Sequence, residues 1–288
     1  MIRALIARAA ASDRVNFLLT NGIPRRLATR FIGWFVRIEQ PVVRDLSIRV
    51  WRLFSDLDLG DAAETRFTSL HACFTRRLRD GARPVDADPG IVASPCDAIV
   101  GACGTVADGR LLQIKGFSYR LADLLDDEAH AALFPGGTYV TLRLTASMYH
   151  RFHAPYDCVV TAVTHIFGDV WNVNPPTLRR VPELYCRNER AVVRTILSGS
   201  GHALTLVPVA AILVAGIRLG FLDMPTGAVR KTRWSTACHA VFRKGEEMGW
   251  FEHGSTIVVL AAKGFSLCAG IADGEVVRAG QALLTIHE

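Results

Sequence analysis

The stretch Trp250-Phe251-Glu252-His253-Gly254-Ser255-Thr256-Ile257-Val258-Val259-Leu260 joins a Gly-Ser-Thr triplet to a run of apolar, mostly β-branched residues. The run from Thr256 to Leu260 predicts a buried strand. Because glycine has no Cβ, its carbonyl can be approached closely, and a serine hydroxyl directly after it can attack that carbonyl when a base is near. Such a triplet is more often only a turn before a strand, so its interpretation depends on the rest of the chain.

Two other stretches contain the acid and the bases that such chemistry needs. They are Ser94-Pro95-Cys96-Asp97-Ala98 and Ser147-Met148-Tyr149-His150-Arg151-Phe152-His153-Ala154-Pro155. Together with Gly254-Ser255-Thr256, they resemble the phosphatidylserine decarboxylases, which make their own pyruvoyl cofactor. The resemblance runs in the family's order from about Leu59 to the end, through Ile114-Lys115-Gly116-Phe117-Ser118-Tyr119-Arg120-Leu121, Val173-Asn174-Pro175, Arg187-Asn188-Glu189-Arg190 and Lys244-Gly245-Glu246-Glu247-Met248-Gly249-Trp250-Phe251. This collinearity is far more specific than any single motif.

The resemblance implies that the chain is a precursor that cleaves itself. Ser255 would attack the carbonyl of Gly254, an N→O acyl shift would form an ester, and β-elimination would leave two chains, 1–254 and 255–288. Residue 255 would become a pyruvoyl group, which forms a Schiff base with the amine of phosphatidylserine and accepts the electrons released with CO₂, giving phosphatidylethanolamine. The sequence has no Gly-x-Gly-x-x-Gly opening a helix and no P-loop, which agrees with a cofactor made from the chain itself.

The same resemblance implies roles for three further residues. Asp97 and His153 match the family's aspartate and second histidine, and with Ser255 they imply a serine-protease-like arrangement. In it, His153 takes the Ser255 proton, while Asp97 orients the imidazole and stabilises its charge. His150 matches the family's first histidine and is expected to donate a proton or to orient the substrate during decarboxylation. The expected catalytic residues are therefore Asp97, His150, His153 and Ser255.

Each of these residues also has an ordinary structural interpretation when it is considered alone. An aspartate after Ser-Pro-x is usually a turn or cap residue, and isolated histidines are more often structural. His150 and His153 have His-x-x-His spacing, but no third ligand is evident, so no metal site is expected. Arg151 is expected either to meet the lipid phosphate or to form a surface salt bridge. Tyr149 and Phe152 are expected to be packing residues.

Three places depart from the family's usual pattern, one of them being Leu219-Gly220-Phe221, where the family usually has valine-glycine-serine. Ala98 stands where the family usually has glycine, and alanine would be strained if that position required a positive φ. His253 stands where the cleavage motif usually begins with leucine or phenylalanine. A histidine beside the scissile bond is expected to alter the processing rate without removing the nucleophile.

Composition indicates a globular protein. Half of the residues are hydrophobic and 21% are charged, unlike a disordered chain. No apolar run approaches the ~20 residues of a spanning helix, and Met1 to Ala11 is too short and too rich in arginine for a signal peptide. The seven cysteines are odd in number and lack Cys-x-x-Cys spacing, which favours buried reduced thiols. The chain is therefore expected to be made and kept in the cytosol.

The positive charge is concentrated at the N-terminus. Residues 1–53 contain ten arginines and three acidic residues, a net charge of +7, whereas the whole chain carries +6. The spacing of Leu27, Phe31 and Trp34 predicts an amphipathic helix, and a second one is expected after Pro41. Basic amphipathic helices with aromatic residues suit an anionic membrane surface; alternatively, the apolar stripe packs on the core. Nucleic-acid binding is not expected, because no recognition motif accompanies the arginines.

The chain is expected to have an α+β fold in two parts. Residues 1–58 form a basic amphipathic helical membrane-docking region, and residues 59–288 form the pyruvoyl-dependent decarboxylase domain, mostly β with barrel or sandwich character. Further helices are expected within Leu57 to Asp80 and from Leu121 to Leu125. Short β-like runs follow Gly90: Ile99-Val100, Tyr139 to Leu142, Cys158 to Val163, Ala191 to Val193 and Leu204 to Val214.

Three functions are compatible with these observations. The first is a phosphatidylserine decarboxylase, peripheral on the cytoplasmic face of a bacterial cell membrane, with phosphatidylserine and an anionic membrane surface as partners and a homodimer as a family-level expectation. The second is a relative that decarboxylates another amino-acid-headed lipid or a soluble serine derivative, against which the basic aromatic helices argue. The third is a non-catalytic lipid-binding or carrier-like protein, against which the joint presence of Asp97, His153, Gly254 and Ser255 argues.

Overall fold

The chain has an α+β fold in the computed structural model, which describes Phe17, Gly22 and residues 24–114, 117–212, 216–223, 233–252 and 255–287. Several residues of the predicted motifs and strands lie outside this part of the chain, namely most of the segment before Pro24, Lys115, Gly116, Leu213, Val214, His253 and Gly254. The predicted scissile bond therefore lies directly before a described strand.

Two amphipathic helices begin the continuously described chain, as predicted. The second starts at Pro41, whose missing N–H falls in the first helical turn, and the Gln40 side chain accepts a hydrogen bond from Val43 N–H at 2.8 Å. No helix within the described residues is long and apolar enough to cross a bilayer. The described helices are α1 (Arg25–Phe35), α2 (Pro41–Phe54), α3 (Leu70–Phe74), α4 (Leu121–Leu125, as predicted), α5 (Glu128–Ala131), α6 (Pro175–Leu178) and α7 (Leu184–Arg187).

The helix expected within Leu57 to Asp80 is confirmed at Leu70-His71-Ala72-Cys73-Phe74, which forms α3, whereas Ala62-Ala63-Glu64 in the same segment is not helical. Upstream of α3, the Asp58 side chain accepts a hydrogen bond from Gly60 N–H at 2.8 Å, and this turn competes with a helical backbone. The helix α3 begins only after Ser69, whose hydroxyl accepts a hydrogen bond from Ala72 N–H at 3.1 Å and caps the helix.

Most of the remaining described elements are strands. They are β1 (Ile91–Ala93), β2 (Ala98–Thr105), β3 (Arg110–Ile114), β4 (Phe117–Arg120), β5 (Thr138–Leu144), β6 (Arg151–His153), β7 (Cys158–Ile166), β8 (Arg190–Leu197), β9 (Ala203–Ala210), β10 (Ile217–Leu219), β11 (Arg233–Phe242), β12 (Glu247–Phe251), β13 (Ser255–Ala261), β14 (Phe265–Leu267), β15 (Val276–Val277) and β16 (Ala282–Ile286).

Strand β13 is an inner strand of an eight-stranded antiparallel sheet with the order β11-β7-β8-β9-β13-β5-β2-β15. Ile257 and Val259 pack into the hydrophobic core on one face of this sheet, and Val258 and Leu260 pack into the core on the other face. Because both faces are buried, the strand is a continuous apolar run without polar alternation. The predicted strand from Thr256 to Leu260 is confirmed.

Smaller sheets and helices cover the two faces of the large sheet. The core on one face includes residues of the three-stranded sheets β1-β16-β14 and β10-β12-β6, and the core on the other includes residues of α4, α7 and the β3-β4 hairpin. The described strands form open sheets and no closed barrel, so the sandwich alternative is correct and the barrel alternative is wrong. The strand predicted from Leu204 to Val214 ends at Ala210.

Candidate active site

The predicted nucleophile begins the central strand. Ser255 is the first residue of β13, where its backbone is paired with Leu144 of β5 and Ala210 of β9. The preceding strand, β12, pairs with β6, and Glu247 of β12 lies opposite His153 of β6. The strand that leads to the predicted cleavage site thus runs beside the strand that carries the predicted base.

His153 is held by hydrogen bonds at both ring nitrogens. Its Nδ1 lies 2.9 Å from the carbonyl oxygen of Gly245, and its Nε2 lies 3.0 Å from the hydroxyl of Tyr149. Because a carbonyl oxygen only accepts, Nδ1 carries the proton, and Nε2 accepts a hydrogen bond from Tyr149. Gly245 has a φ of +89°, and a Cβ there would lie 2.6 Å from Val85, so glycine is required to aim this carbonyl at His153.

The surroundings of His153 favour the neutral, basic form of its imidazole. Burial lowers the pKa of His153 below its usual value, while the hydrogen bond to Gly245 and the negative charges of Glu247 and Asp97 offset part of this effect. A histidine that is neutral near pH 7 can accept a proton. His153 therefore has the protonation state that a general base requires.

The carboxylate of Asp97 is buried and binds an arginine that no sequence pattern indicated. Arg83 donates three hydrogen bonds to the two Asp97 oxygens, at 2.6, 2.8 and 3.1 Å, and its Nη1 donates to Asp61 at 2.9 Å. The backbone N–H of Ala279 donates to Asp97 Oδ1 at 2.9 Å. Hydrogen bonding to Asp97 raises the pKa of Arg83. The Asp97 charge is therefore held in place by groups other than His153.

The negative charge of Asp97 raises the pKa of His153, and the described side chains of the two residues share no hydrogen bond. The backbone N–H of His153 donates to the carbonyl of Pro95 at 2.8 Å, which fixes β6 beside the loop that carries Asp97. Both ring nitrogens of His153 have partners in this structure, Gly245 at Nδ1 and Tyr149 at Nε2, so the orienting role of Asp97 stays a prediction. Ala98, next to Asp97, begins β2 with a negative φ and is unstrained.

His150 lies directly behind the wall of a cavity. It is fully buried, its Nδ1 lies 2.9 Å from the carbonyl oxygen of Met148, and its ring centroid is 3.9 Å from that of Phe74 in α3. The backbone carbonyl of His150 accepts a hydrogen bond from Phe251 N–H at 2.9 Å. Because Phe74 lines the cavity, one side chain separates His150 from the space that a substrate can enter.

The neighbours of the two histidines keep β6 in position. Arg151 forms an ion pair with Glu247 at 2.6 Å, and its guanidinium lies 5.2 Å from the ring centroid of Trp250. These contacts support the salt-bridge interpretation of Arg151. Tyr149 was expected only to pack; it is buried and stacks on His153 at a centroid distance of 5.7 Å, but it also binds Nε2, the basic atom.

Glu252, two residues before Gly254, links the cleavage segment to the N-terminal helices. Its carboxylate lies 3.1 Å from Nη2 of Arg37, just after α1, and 3.4 Å from Nε of Arg218 in β10. Nε2 of His71 in α3 lies 3.8 Å from the same carboxylate. No sequence pattern indicated this cluster, because its members are far apart along the chain. The cluster connects α1 to the segment that carries the predicted scissile bond.

An apolar cavity of about 730 Å³ lies between the N-terminal helices and one end of the large sheet. Helices α1 and α2 contribute apolar side chains to one wall, and β5 contributes Leu144 and Arg143 to the opposite wall. Leu144 is paired with Ser255, and Ala211, another lining residue, follows the second pairing partner of Ser255. The cavity therefore borders the first residue of β13.

Replacing Arg83 with methionine is expected to destabilise the fold by about 3–5 kcal/mol, because Asp97 is left as an uncompensated buried charge. Asp97 is only 7% exposed, so water cannot take the place of the guanidinium. Chemical denaturation at pH 7, in a Ser255→Ala background that keeps every variant as one chain, measures the free energy of unfolding.

The matched control for Arg83→Met is Arg120→Met. Arg120 pairs with Glu128 on the surface, where both side chains are at least half exposed, so its loss is expected to change the free energy of unfolding by about 0–1 kcal/mol. Adding Asp97→Leu to Arg83→Met should restore much of the stability, because no buried charge remains unpaired; Asp61, the other partner of Arg83, is exposed to water. Equal effects of the two arginine substitutions would contradict the prediction.

The fold and the site define an α+β protein with a partly buried histidine in its neutral form and a large apolar cavity between the N-terminal helices and the central sheet. A family model described as phosphatidylserine decarboxylase matches residues 70–285. The chain is 34% identical to the phosphatidylserine decarboxylase proenzyme of Shewanella baltica (strain OS155), over 96% of this chain and 98% of that protein. The chain belongs to the phosphatidylserine decarboxylase family of carboxy-lyases.

Proteins of the same name from other bacteria are similarly related. The chain is 35% identical to the phosphatidylserine decarboxylase proenzyme of Methylococcus capsulatus, over 91% of this chain and 93% of that protein. It is 34% identical to that of Azotobacter vinelandii, over 86% of this chain and 89% of that protein. The matches extend well beyond the site and include the sheet that carries it, as the collinear motifs predicted.

Proposed function

We propose that the chain is a proenzyme that cuts itself between Gly254 and Ser255 into residues 1–254 and 255–288. The mature enzyme carries a pyruvoyl group formed from Ser255 and decarboxylates phosphatidylserine to phosphatidylethanolamine at a membrane surface. The observation that carries this proposal is the position of Ser255. It begins the central strand between Leu144 and Ala210, at the border of an apolar cavity that can take a lipid.

The residues around the start of β13 fit a group made from the chain's own atoms. Such a group needs no binding loop and only has to lie next to the cavity that takes the substrate. Leu144, paired with Ser255, and Ala211, next to its other partner Ala210, both line that cavity. A pyruvoyl group supplies an electron-withdrawing carbonyl that accepts the electrons released with CO₂. The walls of the cavity are mostly apolar, which suits the acyl chains of a lipid whose head group reaches the start of β13.

His153 is the proposed base for self-cleavage. Its Nδ1–H is fixed on the carbonyl of Gly245, so Nε2 is the atom that accepts the proton of Ser255. In the resting arrangement Tyr149 donates a hydrogen bond to Nε2, and this bond must open before the proton transfer. The charge of Asp97 stabilises the imidazolium that forms, which is the electrostatic part of a serine-protease-like arrangement.

His150 is the proposed proton donor or substrate-orienting group of the decarboxylation. A proton must replace CO₂ on the substrate carbon, and a histidine close to the cavity can supply it. The Nδ1 of His150 is fixed on the carbonyl of Met148, so Nε2 is the atom that exchanges the proton. The ring lies against Phe74, which lines the cavity, so a small movement of one side chain opens the path.

Exposed apolar side chains on α1 and α2 support docking to a lipid surface. Leu27, Phe31 and Trp34 of α1, and Val42 and Leu53 of α2, are each more than half exposed. Large apolar side chains that are exposed together on neighbouring helices mark an interaction surface. The arginines of the same helices suit anionic lipids, which are enriched on the cytoplasmic leaflet. We therefore infer peripheral docking on the cytoplasmic face of the cell membrane.

Replacing both Phe31 and Trp34 with glutamate is expected to weaken binding to phosphatidylserine vesicles about 100-fold or more. The variant lacks two large apolar side chains whose transfer from water into the lipid stabilises the bound state. Vesicle co-sedimentation measures the binding. Turnover of vesicle phosphatidylserine should fall in parallel. Turnover of short-chain phosphatidylserine, dissolved as monomers, should be retained, because the substitutions leave the predicted catalytic residues intact.

The matched control is the double substitution of Leu133 and Val241 with glutamate. Both side chains are at least half exposed but lie outside α1 and α2, so vesicle binding should change little. Equal loss of binding by the two double variants, or unchanged vesicle turnover by the α1 variant, would count against the docking surface. Wild-type turnover of glycerophosphoserine without turnover of phosphatidylserine would favour the soluble serine derivative as the substrate.

A further inference from the structure

Arg143 is an isolated charge in the wall of the apolar cavity. It belongs to β5, is half-buried, and is the one charged residue among the described residues that line the cavity. Within the described part of the chain, its guanidinium has neither an ion pair nor a hydrogen bond. Burial lowers the pKa of Arg143, and its electrostatic partner is Tyr185, whose hydroxyl is uncharged at neutral pH.

The counter-ion of Arg143 is expected to come from outside the chain. A buried charge is costly unless it is paired. In the rest of the sequence, beyond the described residues, only Asp13 and Glu288 carry carboxylates. Thr256, opposite Arg143 in the β5-β13 pair, and Tyr185 have buried hydroxyls that interact with each other and carry no charge to balance Arg143. The cavity wall at Arg143 thus presents a positive charge without a counter-ion among the described residues, and it suits an anionic ligand.

We propose that Arg143 binds the phosphodiester of the lipid substrate, an inference that rests on the proposed decarboxylation of phosphatidylserine. The cavity is lined by apolar side chains of α1 and α2, by Arg143, and by Leu144, whose backbone is paired with Ser255. A phosphatidylserine molecule has a matching part for each of these features: apolar acyl chains, an anionic phosphodiester and the serine group that reacts. A planar guanidinium donates two parallel hydrogen bonds to phosphate oxygens, a geometry that lysine does not offer.

The carboxylate of the substrate is the poorer partner for Arg143. It loses its negative charge as CO₂ leaves, so an ion pair with it stabilises the ground state more than the transition state and slows the reaction. The phosphodiester keeps its charge throughout. An arginine bound to the phosphodiester therefore stabilises both states equally, which lowers KM and leaves kcat unchanged.

Replacing Arg143 with glutamine is expected to raise KM for monomeric short-chain phosphatidylserine about 10- to 100-fold, with kcat nearly unchanged. Monomeric substrate removes any effect of the variant on membrane docking. Arg143→Lys, which keeps the charge but loses the two parallel hydrogen bonds, should give an intermediate KM. The control is Arg110→Gln, which removes one exposed positive charge far from the cavity wall and should leave KM unchanged.

Lipid binding to the uncut Ser255→Ala chain shows which anionic group of the substrate, the phosphodiester or the carboxylate, Arg143 contacts. Phosphatidylethanolamine has the phosphodiester but no carboxylate. Arg143→Gln should therefore lower the affinity for short-chain phosphatidylserine and for short-chain phosphatidylethanolamine by the same factor. A lower affinity for phosphatidylserine alone would show that Arg143 binds the carboxylate and would overturn the proposal. Unchanged affinity for both lipids would also overturn it.

This binding measurement needs no self-cleavage, so its outcome is distinct from a failure of the proposed pyruvoyl chemistry. If Arg143→Gln does not fold, Arg143→Lys must still lower the affinity for both lipids by a similar factor, because a lysine ammonium binds phosphate through a single point charge. Isothermal titration with each lipid gives the dissociation constants. An Arg143→Lys variant with the affinity of the parent chain for both lipids would also overturn the proposal.

Discussion

Replacing Ser255 with alanine is expected to leave one polypeptide of 288 residues, whereas the wild-type chain separates into residues 1–254 and 255–288. Alanine has no hydroxyl to attack the carbonyl of Gly254, so neither the acyl shift nor the β-elimination can begin. Intact mass under denaturing conditions distinguishes the two outcomes. The C-terminal fragment of the wild type should also be lighter, by one ammonia, than a fragment that begins with serine.

The matched control for Ser255→Ala is Ser266→Ala. Ser266 lies in the same C-terminal fragment, but its hydroxyl contacts His287 and not the site, so this variant should cleave and decarboxylate like the wild type. The Ser255→Ala chain should have no decarboxylase activity. A wild-type chain that stays whole after incubation with anionic vesicles would contradict self-processing. That result would favour two explanations: His253, beside the scissile bond, prevents cleavage, or the protein is a non-catalytic lipid-binding protein.

Replacing His153 with glutamine is expected to slow self-cleavage by about 10²- to 10⁴-fold, the usual contribution of a positioned general base. Glutamine can keep hydrogen bonds near Gly245 and Tyr149, but it cannot accept the proton of Ser255. The amount of uncut chain against time after synthesis measures the rate. The melting temperature of the uncut chain shows whether the fold is retained.

The matched control for His153→Gln is His130→Gln. His130 is also a buried histidine, with its pKa lowered to about 4 mainly by burial, but its Nε2 contacts the hydroxyl of Thr205. It takes no part in the proposed reaction, so His130→Gln should leave the self-cleavage rate within about a factor of two. Similar slowing in the two variants would assign the effect of His153→Gln to stability and not to base catalysis.

The pH dependence of self-cleavage provides a further readout of His153. The pKa of this histidine is lowered from its usual value of 6.5, mainly by burial, so the basic form is already populated at pH values below 6.5. The rate should therefore rise with pH, reach half its maximum below pH 6.5 and stay constant near neutrality. This dependence should disappear in His153→Gln, whose residual rate lacks the titrating base.

Local sequence patterns predicted the elements that position the site. The apolar run after Ser255 forms β13, because β-branched side chains can fill both faces of an inner strand. The apolar repeat around Phe31 forms α1, since its spacing matches one face of a helix. The helical pattern failed only upstream of α3, around Ala62 to Glu64, where the side chain of nearby Asp58 forms a turn that competes with helical hydrogen bonds.

Contacts between distant parts of the chain had no such local signal. Arg83 lies in a turn-rich segment 14 residues before Asp97, and nothing in that spacing indicates that the two side chains meet. Glu252 likewise contacts Arg37 and Arg218, which come from separate elements. A periodic pattern tells which face of an element is apolar, but it does not tell which side chain of another element will lie against it.

The sequence by itself determined the N-terminal helices, the central strand and the collinear motifs that agree with the family match. Only the tertiary structure decided that Gly245 and Tyr149 bind the ring of His153, that the apolar stripe of α1 faces solvent, and that Arg143 lines a cavity without a counter-ion among the described residues. The physical reason is that hydrogen-bond partners and burial depend on distances between residues far apart in the chain. These distances are set only when the sheets and helices pack together, and the resulting loss of water then determines which charges need a partner.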